Sequence, residues 1–312
     1  MRSSISIVRT TFLILVASLQ AGCSRERDRL NKPAEPAGKI PVVATYSILG
    51  DWVQQVGGNR VDLQVLVGPE GDAHTFEPTP KDSVKLSGAK LIFENGLGFE
   101  VWLDDLCHAS RTQGRRCNVS RDLKPILLDG NDGNQEIDPH VWQSPVNATR
   151  MVRVIAAELS EIEPASAAYF DQRSQEYIAQ LTALDEEIKK EVGQLDAERR
   201  ILVTTHDTFG YFAAEYGFQV FSVLGSVSSE SSDPSAGEIV KVVDRIRSFQ
   251  VPAVFTENIL NPKLTEQIAV EAGVTVVPSL YTDALGPVGS PGETYLGMMR
   301  FNLHTIVGAL RK

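Results

Sequence analysis

The sequence predicts an α/β protein with two doubly wound lobes of mostly parallel sheet, joined by one long rigid helix. The chain has 312 residues, more than one core usually contains at ~100–200 residues per domain. In both halves, short apolar runs alternate with amphipathic segments, which is typical of βαβ units. Between the halves lies a stretch with almost no helix breakers, and this stretch predicts the joining helix.

The first lobe is predicted at residues 40–163. Apolar, β-branched runs favour strands, and amphipathic stretches bounded by turn residues or glycine favour helices. The predicted strands are residues 40–45, 61–67, 90–93 and 125–128, and the predicted helices are residues 48–56, 80–87 and 147–159. Strands and helices that alternate in this way predict a largely parallel sheet.

The joining helix is predicted at residues 164–197. From 164 to 194 the only glycine is Gly193, and apolar residues recur at helical spacing among Glu, Lys and Gln. A helix of roughly 30 residues would be about 45 Å long, which is more than a single lobe needs. We therefore expect a spine that runs between two lobes.

The second lobe is predicted at residues 198–312, with the same alternation as the first. The predicted strands are residues 200–204, 219–223, 253–256 and 275–278, and the predicted helices are residues 209–216, 238–249, 263–272 and 295–310. In doubly wound sheets, ligands bind beyond the carboxyl ends of the strands. The two lobes should therefore leave a binding cleft between them.

Composition and charge narrow the class of protein. Hydrophobic residues make up 42% and charged residues 22% of the chain, as in ordinary globular proteins. This excludes disordered, collagenous and multi-span membrane proteins. The formal net charge of −10, without a stripe of Lys and Arg, argues against a nucleic-acid partner and suits a protein that attracts cations.

The amino end predicts an export signal. A basic start and an apolar run of ten residues at 10–19 precede Cys23, in a pattern that resembles a bacterial lipobox. We expect a signal peptide at 1–22, a lipid on Cys23, and a flexible tether at 23–39. Gln20 stands where that motif usually carries Leu, so ordinary cleavage or a retained anchor stays open. The protein should be exported to the periplasm or cell surface and anchored to a membrane.

The two remaining cysteines enclose a short polar, basic stretch. Cys107 and Cys117 would meet an oxidising compartment after export, and such compartments favour disulfides. We therefore expect a disulfide that closes this stretch. Two unpaired thiols are the alternative.

Four residues with metal-binding side chains share one position relative to the predicted strands. His74 and His140 follow strands of the first half, and His206 and Asp283 follow strands of the second half. Strand ends of this kind meet at the cleft, so the four should lie close together. Imidazole nitrogens and a carboxylate bind borderline divalent metals, and three His with one Asp complete a four-coordinate shell.

Five segments, in order, carry a resemblance to a known family. The segments are HTFEPTPKD (74–82), DPHVW (138–142), THDTFGYFAAEYG (205–217), FTEN (255–258) and YTDALG (281–286). Over residues 41–310 the chain resembles the metal-binding lipoproteins that serve as solute-binding components of zinc and manganese ABC importers. The resemblance implies two α/β lobes on a long helix, a monomer, and a membrane permease with a cytoplasmic ATPase as partners. It also implies that His74, His140, His206 and Asp283 bind the metal.

The residue at the third ligand position, His206, helps to predict which metal is bound. Family members that resemble zinc binders carry His there and those that resemble manganese binders carry Glu, so His206 favours Zn²⁺, and imidazole suits zinc on chemical grounds too. Many zinc-importing relatives have a His-rich loop before the second ligand, whereas residues 127–138 here are acidic and lack histidine. Manganese or iron therefore stays open.

Two carboxylates are candidates for orienting the imidazoles. Metal-bound histidine commonly donates its other ring N–H to a carboxylate, and Asp138 and Glu257 lie in the segments concerned. Loop capping or surface charge is the alternative for both residues.

Several aromatic residues and two histidines have less specific roles. The aromatic residues expected to line the cleft, although core packing explains them equally well, are Tyr46, Phe76, Trp142 and Tyr281. His108 and His304 are expected to be surface or packing residues.

The sequence favours metal capture over catalysis. Zinc held by three histidines can activate water, but here Asp283 would fill the position that a catalytic zinc keeps open. The chain contains no GxSxG, HExxH, Walker A or GxGxxG motif, so we expect no enzyme activity. A periplasmic zinc chaperone or an adhesin stays open as an alternative to import.

Overall fold

The computed structural model describes residues 38–129, 135–225, 227 and 234–311. Within them the chain forms an α/β fold of two lobes with mostly parallel strands and one long helix, as predicted. The predicted signal peptide at 1–22, Cys23 and most of the predicted tether lie outside the described residues. Among the described residues, no helix is long and apolar enough to cross a membrane.

The elements alternate along most of the chain. The strands are β1 Ile40–Tyr46, β2 Val61–Val67, β3 Leu91–Glu94, β4 Arg115–Asn118, β5 Leu127–Asp129, β6 Gln135–Ile137, β7 Ile201–Thr204, β8 Gln219–Ser222, β9 Ala253–Glu257 and β10 Thr275–Leu280. The helices are α1 Ser47–Gly57, α2 Pro80–Gly88, α3 Leu103–Ser110, α4 Pro145–Ile162, α5 Ala167–Val192, α6 Gly210–Tyr216, α7 Ala236–Ser248, α8 Lys263–Ala272 and α9 Tyr295–Leu310. Most predicted elements agree with these bounds to within a few residues.

The first lobe contains a parallel sheet in the order β2-β1-β3-β4. The central strand β1 pairs with both neighbours, so that Val42 lies opposite Leu63 on one side and Leu91 on the other. Almost every residue of β1 is buried, because helices cover both faces of a parallel sheet. This explains why a continuous apolar run marked the strand in the sequence.

One part of the first lobe differs from the prediction. The chain between β3 and β5 contains a helix, α3, and an edge strand, β4, neither of which the sequence pattern predicted. Strand β4 reads RRCN and exposes Arg115 and Arg116, so it carries no apolar run. The predicted strand at 125–128 instead begins a small antiparallel hairpin, β5–β6, outside the main sheet.

The predicted disulfide between Cys107 and Cys117 is wrong, because both cysteines are free. Cys107 lies on α3 and Cys117 on β4. Arg116 on β4 reaches a carboxylate of α3 at 2.6 Å, whereas Arg115 reaches carboxylates of α4 at 2.6 and 2.8 Å. Since side chains alternate along a strand, Cys117 faces the α4 side together with Arg115. The two thiols are therefore on opposite faces of the sheet.

Helix α5 is the predicted joining helix. It has 26 residues and follows a short 3₁₀ turn at Pro164–Ser166, so it is about 39 Å long. Its buried stripe comprises Phe170, Ser174, Tyr177, Leu181, Leu184, Ile188 and Val192. It packs against α1 and α4 of the first lobe and α6 and α9 of the second. The boundaries proposed for the lobes, 40–163 and 198–312, stay predictions.

The second lobe contains two parallel strand pairs, β7–β8 and β9–β10, with β7 next to β9. Its own apolar core lies between these strands and helices α7 and α8. The carboxyl ends of β9 and β10 lead directly into Asn258 and Tyr281, and His206 lies two residues past the end of β7. These strand ends bring the second half of the candidate site into place.

Candidate metal centre

Each of the four residues singled out in the sequence lies in a loop just past a strand. His74 lies in the connection from β2 to α2, and His140 lies between β6 and α4. Thr205 separates the end of β7 from His206, and Asp283 is the third residue past the end of β10. For His140 the preceding strand belongs to the hairpin rather than to the main sheet, but the loop still reaches the same place.

The four side chains converge on one buried point. His74 Nε2 lies 3.2 Å from His140 Nε2, and His206 Nε2 lies 3.0 Å from Asp283 Oδ2. One potential ligand atom from each residue lies within 4.8 Å of the others. Three of the side chains are completely buried, and His74 is 8% exposed. The structure therefore brings all four residues into one closed cluster.

Asp138 holds the ring of His140. Its Oδ1 lies 2.8 Å from His140 Nδ1 and accepts a hydrogen bond from the backbone N–H of His140 at 2.9 Å. The same oxygen therefore both caps the loop and contacts the imidazole. Loop capping and orientation of His140, given above as alternatives for Asp138, thus occur together. Because Nδ1 faces Asp138, Nε2 faces the cluster.

Glu257, the last residue of β9, is placed in the same way against His206. Its Oε2 lies 2.5 Å from His206 Nδ1. Its Oε1 accepts hydrogen bonds from the backbone N–H groups of Thr205 and His206 at 2.7 and 2.9 Å. The carboxylate thus ties the end of β7 to the end of β9 and leaves His206 Nε2 directed at the cluster.

The electrostatics of the cluster favour charge separation. Burial lowers the pKa of His206, but the carboxylates of Glu257 and Asp283 outweigh burial and raise this pKa well above its ordinary value. Burial raises the pKa of Asp283, yet His206 and His140 hold it well below its ordinary value. These shifts favour a protonated His206 beside an ionised Asp283, so a divalent cation that binds the four residues displaces that proton, because neutral imidazole is the ligand.

Hydrogen bonds link the ligand loops of the two lobes. Trp142 Nε1 and Gln143 Nε2 both donate to the backbone carbonyl of Thr282, at 2.8 and 3.1 Å. Tyr211 donates its hydroxyl to the backbone carbonyl of Asp138 at 2.8 Å. Sequence reasoning missed both Gln143 and Tyr211. Tyr211 lies inside the segment at 205–217 that carries the family resemblance, whereas Gln143 lies one residue past the segment at 138–142. These bonds set the distance between loops that are far apart in the chain.

Aromatic rings pack around the cluster. The ring of Phe99 meets that of His74 edge to face with centroids 4.6 Å apart, and Trp142 lies 5.2 Å from His140. Tyr46 packs against Phe99 and Trp142. Phe99 was not predicted, because nothing in its local sequence distinguishes it from a core residue.

The remaining predicted residues lie elsewhere. Phe76 packs against Trp102, and Tyr281 packs against Phe301, so both take part in packing. His108 on α3 and His304 on α9 are exposed. Neither belongs to the cluster of potential ligands found among the described residues.

Fold and site together define a two-lobed α/β protein that encloses a group of cation-binding side chains between its strand ends. Residues 42–309 match the family described as zinc-uptake complex component A, periplasmic. The chain belongs to this family. The match covers both lobes and all four residues of the cluster.

Known proteins of similar sequence and structure are named for the metals they bind. The chain is 31% identical over 298 residues to the manganese-binding lipoprotein MntA of Halalkalibacterium halodurans, covering 96% of each chain. It is 29% identical over 276 residues to the iron-binding protein YfeA of Yersinia pestis, covering 88% of each. The solved structure of the periplasmic zinc-binding protein TroA from Treponema pallidum has a TM-score of 0.81 and 33% identity, covering 88% of this chain and 99% of that one.

These comparisons confirm the class that the sequence motifs indicated. The chain is a metal-binding, substrate-binding component of an ABC importer, and its family is one of transport components rather than enzymes. The names of the relatives cover zinc, manganese and iron, so they do not decide the metal.

Proposed function

We propose that this protein captures Zn²⁺ outside the cytoplasm and delivers it to an ABC-type importer, with His74, His140, His206 and Asp283 as its ligands. The observation that carries the proposal is the convergence of three imidazole nitrogens and one carboxylate oxygen at a single buried point. Closed zinc sites are almost always four-coordinate, and imidazole suits zinc, whereas manganese favours oxygen ligands.

The chain's own residues prepare the site for capture. Asp138 and Glu257 each face Nδ1 of a histidine and so leave its Nε2 directed at the cluster. His74 and His140 come from the first lobe, and His206 and Asp283 come from the second. One ion bound to all four would hold the two lobes together. Because α5 is a continuous helix, we expect small rocking and loop ordering rather than a wide hinge.

Delivery requires a partner in the membrane. By membership of its family, the protein would dock on a permease whose cytoplasmic ATPase drives transport, as a monomer held to the membrane through a lipid on Cys23. A zinc chaperone or adhesin would also bind the ion. Deleting the gene for the permease distinguishes these roles. Only the import role predicts that the deletion abolishes the metal uptake that this protein supports.

The ligand set is tested by titrating the purified apoprotein with Zn²⁺. We expect His206→Ala to weaken Zn²⁺ binding by more than about 100-fold, since loss of a ligand should cost at least as much as loss of a residue that supports one. His304→Ala is the matched control, because this histidine is exposed on α9. Equal affinity in the wild type and His206→Ala would contradict the ligand set.

Manganese or iron is the second candidate metal. A manganese-binding relative and an iron-binding relative, at 31% and 29% identity, are about as similar to the chain as the zinc-binding structure at 33%. Competition between Zn²⁺ and Mn²⁺ on the purified protein tests the choice. Metal analysis of the protein purified from its native compartment shows which ion it carries there. A protein that carries manganese and prefers it in competition would overturn the proposal of zinc.

A further inference from the structure

The two oxygens of the Asp283 carboxylate have different surroundings. Oδ2 lies 3.0 Å from His206 Nε2 and 3.5 Å from His74 Nε2, so it points into the cluster. Oδ1 accepts a hydrogen bond from the hydroxyl of Thr208 at 3.1 Å and lies 3.7 Å from His140 Nε2. Oδ2 therefore faces two imidazole nitrogens of the cluster, whereas Oδ1 accepts the hydrogen bond of Thr208.

The position of Thr208 is fixed by the turn that follows β7. Its backbone N–H donates to the carbonyl of His206 at 3.0 Å, and the hydroxyl of Thr204 donates to the same carbonyl at 3.0 Å. Thr208, Thr204 and Asp283 are all completely buried. The hydroxyl is thus held beside Asp283 by the same turn that holds His206, and a buried hydroxyl keeps its partner because an unpaired polar group would be costly.

We propose that Thr208 determines metal selectivity by occupying Oδ1 of Asp283, so that this carboxylate offers the ion one oxygen and the site stays four-coordinate. This inference rests on the proposed function. Four ligands suit Zn²⁺, whereas Mn²⁺ favours more oxygen ligands and a higher coordination number. Without the hydroxyl, both carboxylate oxygens become available, and the site gains an oxygen ligand that benefits Mn²⁺ more than Zn²⁺. Thr208 is a positioning residue, since it acts through Asp283.

The test compares the dissociation constants of Zn²⁺ and Mn²⁺ in four proteins. Thr208→Val removes the hydroxyl with little change in shape, and Thr208→Ser retains it. Thr112→Val is the control, because the hydroxyl of Thr112 donates to the carbonyl of Leu86 in the first lobe. We expect the preference for Zn²⁺ over Mn²⁺ to fall by about tenfold or more in Thr208→Val, the usual size of effects from residues that support a ligand. Thr208→Ser and Thr112→Val should keep the wild-type preference.

Bound Co²⁺ provides a second readout. Four-coordinate Co²⁺ absorbs visible light more strongly than five- or six-coordinate Co²⁺, so the visible bands should weaken in Thr208→Val and persist in Thr208→Ser. If Thr208→Val does not fold, Thr208→Ala measured against Thr208→Ser gives the same comparison.

The outcomes separate the two proposals. Equal weakening of Zn²⁺ and Mn²⁺ in Thr208→Val, or no change in either, overturns the role of Thr208 while the capture function stands. A wild-type protein that binds neither ion overturns the proposed function and this inference with it.

Discussion

Asp138 and Glu257 each serve two purposes with one carboxylate. Each accepts backbone N–H hydrogen bonds in the loop it stabilises, and each contacts Nδ1 of a histidine whose Nε2 faces the cluster. Loop geometry and imidazole orientation therefore depend on the same group. A change at either residue should disturb both, which is why a sequence pattern alone left the two roles as alternatives.

Glu100 is a buried carboxylate near the cluster that does not belong to it. It accepts hydrogen bonds from the hydroxyl of Thr45 and the backbone N–H groups of Asn95 and Gly96. Burial outweighs these bonds and raises the pKa of Glu100 to about 7, from 4.5. In the folded protein Glu100 therefore holds its proton at a pH at which the unfolded chain has lost it.

The raised pKa predicts that part of the stability is lost as pH rises. Between the unfolded and folded pKa values the folded state binds more protons, so the free energy of unfolding falls as pH increases through this range. From about pH 5 to about pH 8 the loss due to Glu100 should be about 2.5 kcal/mol. Urea unfolding at the two pH values should show a smaller loss in Glu100→Gln than in the wild type. The exposed Glu198 supplies the control, Glu198→Gln, and an identical pH dependence in all three proteins would refute the assignment.

The start of helix α6 supports the first-lobe ligand loop. Gly210 and Tyr211 are its first residues, and Tyr211 donates its hydroxyl to the backbone carbonyl of Asp138. A Cβ at position 210 would lie 2.2 Å from Asp138 Oδ2. The loop that carries His140 thus rests directly on a helix of the second lobe, and only glycine leaves it room.

This close approach predicts the effect of Gly210→Ala. The added methyl group must displace Asp138, which should lower the free energy of unfolding by about 1–3 kcal/mol, as for other overpacked sites. It should also weaken Zn²⁺ binding by about 10-fold, because His140 loses its support. Chemical denaturation and metal titration measure the two effects.

Gly88→Ala is the matched control, since a Cβ at position 88 would meet nothing within 4 Å. If Gly210→Ala bound Zn²⁺ as tightly as Gly88→Ala does, the contact with Asp138 would have no bearing on the metal.

The ligand loops and helix α5 connect the same two lobes by different routes. Helix α5 packs on helices of both lobes. The loops meet through the bonds to Thr282 and through a backbone bond from Glu70 to Leu285 at 3.0 Å. A metal ion at the cluster would add a further connection between ligands from the two lobes. Binding should therefore stabilise the protein as a whole rather than one lobe.

Global stabilisation by the ion is measurable as a shift in Tm. At a free Zn²⁺ concentration of about 100 times Kd, binding should add about 2.7 kcal/mol to the free energy of unfolding. In a protein of this size that corresponds to an increase in Tm of roughly 5 to 10 °C. Calorimetry with Zn²⁺ and with a chelator should show this shift for the wild type and for His304→Ala. A shift of the same size in His206→Ala would argue against binding at the cluster.

Local patterns in the chain predicted most elements and the members of the cluster. Strands such as β2 and helices such as α8 and α9 are marked by apolar periodicity and by turn residues, which act over a few neighbours. The sequence predicted the four residues of the cluster because each lies in the loop that follows a strand, and such strand ends meet at one edge of the fold.

Long-range contacts decided the features that local patterns did not predict. The edge strand β4 has charged residues whose partners lie on α3 and α4, so no local pattern revealed it. The alternation of side chains along β4 directs Cys117 away from α3, which carries Cys107, so the two cysteines lie on opposite faces of the sheet. The bond from Thr208 to Asp283 joins residues 75 positions apart. Side-chain contacts of this kind depend on how the loops of two lobes are packed together, and spacing along the chain carries no record of that packing.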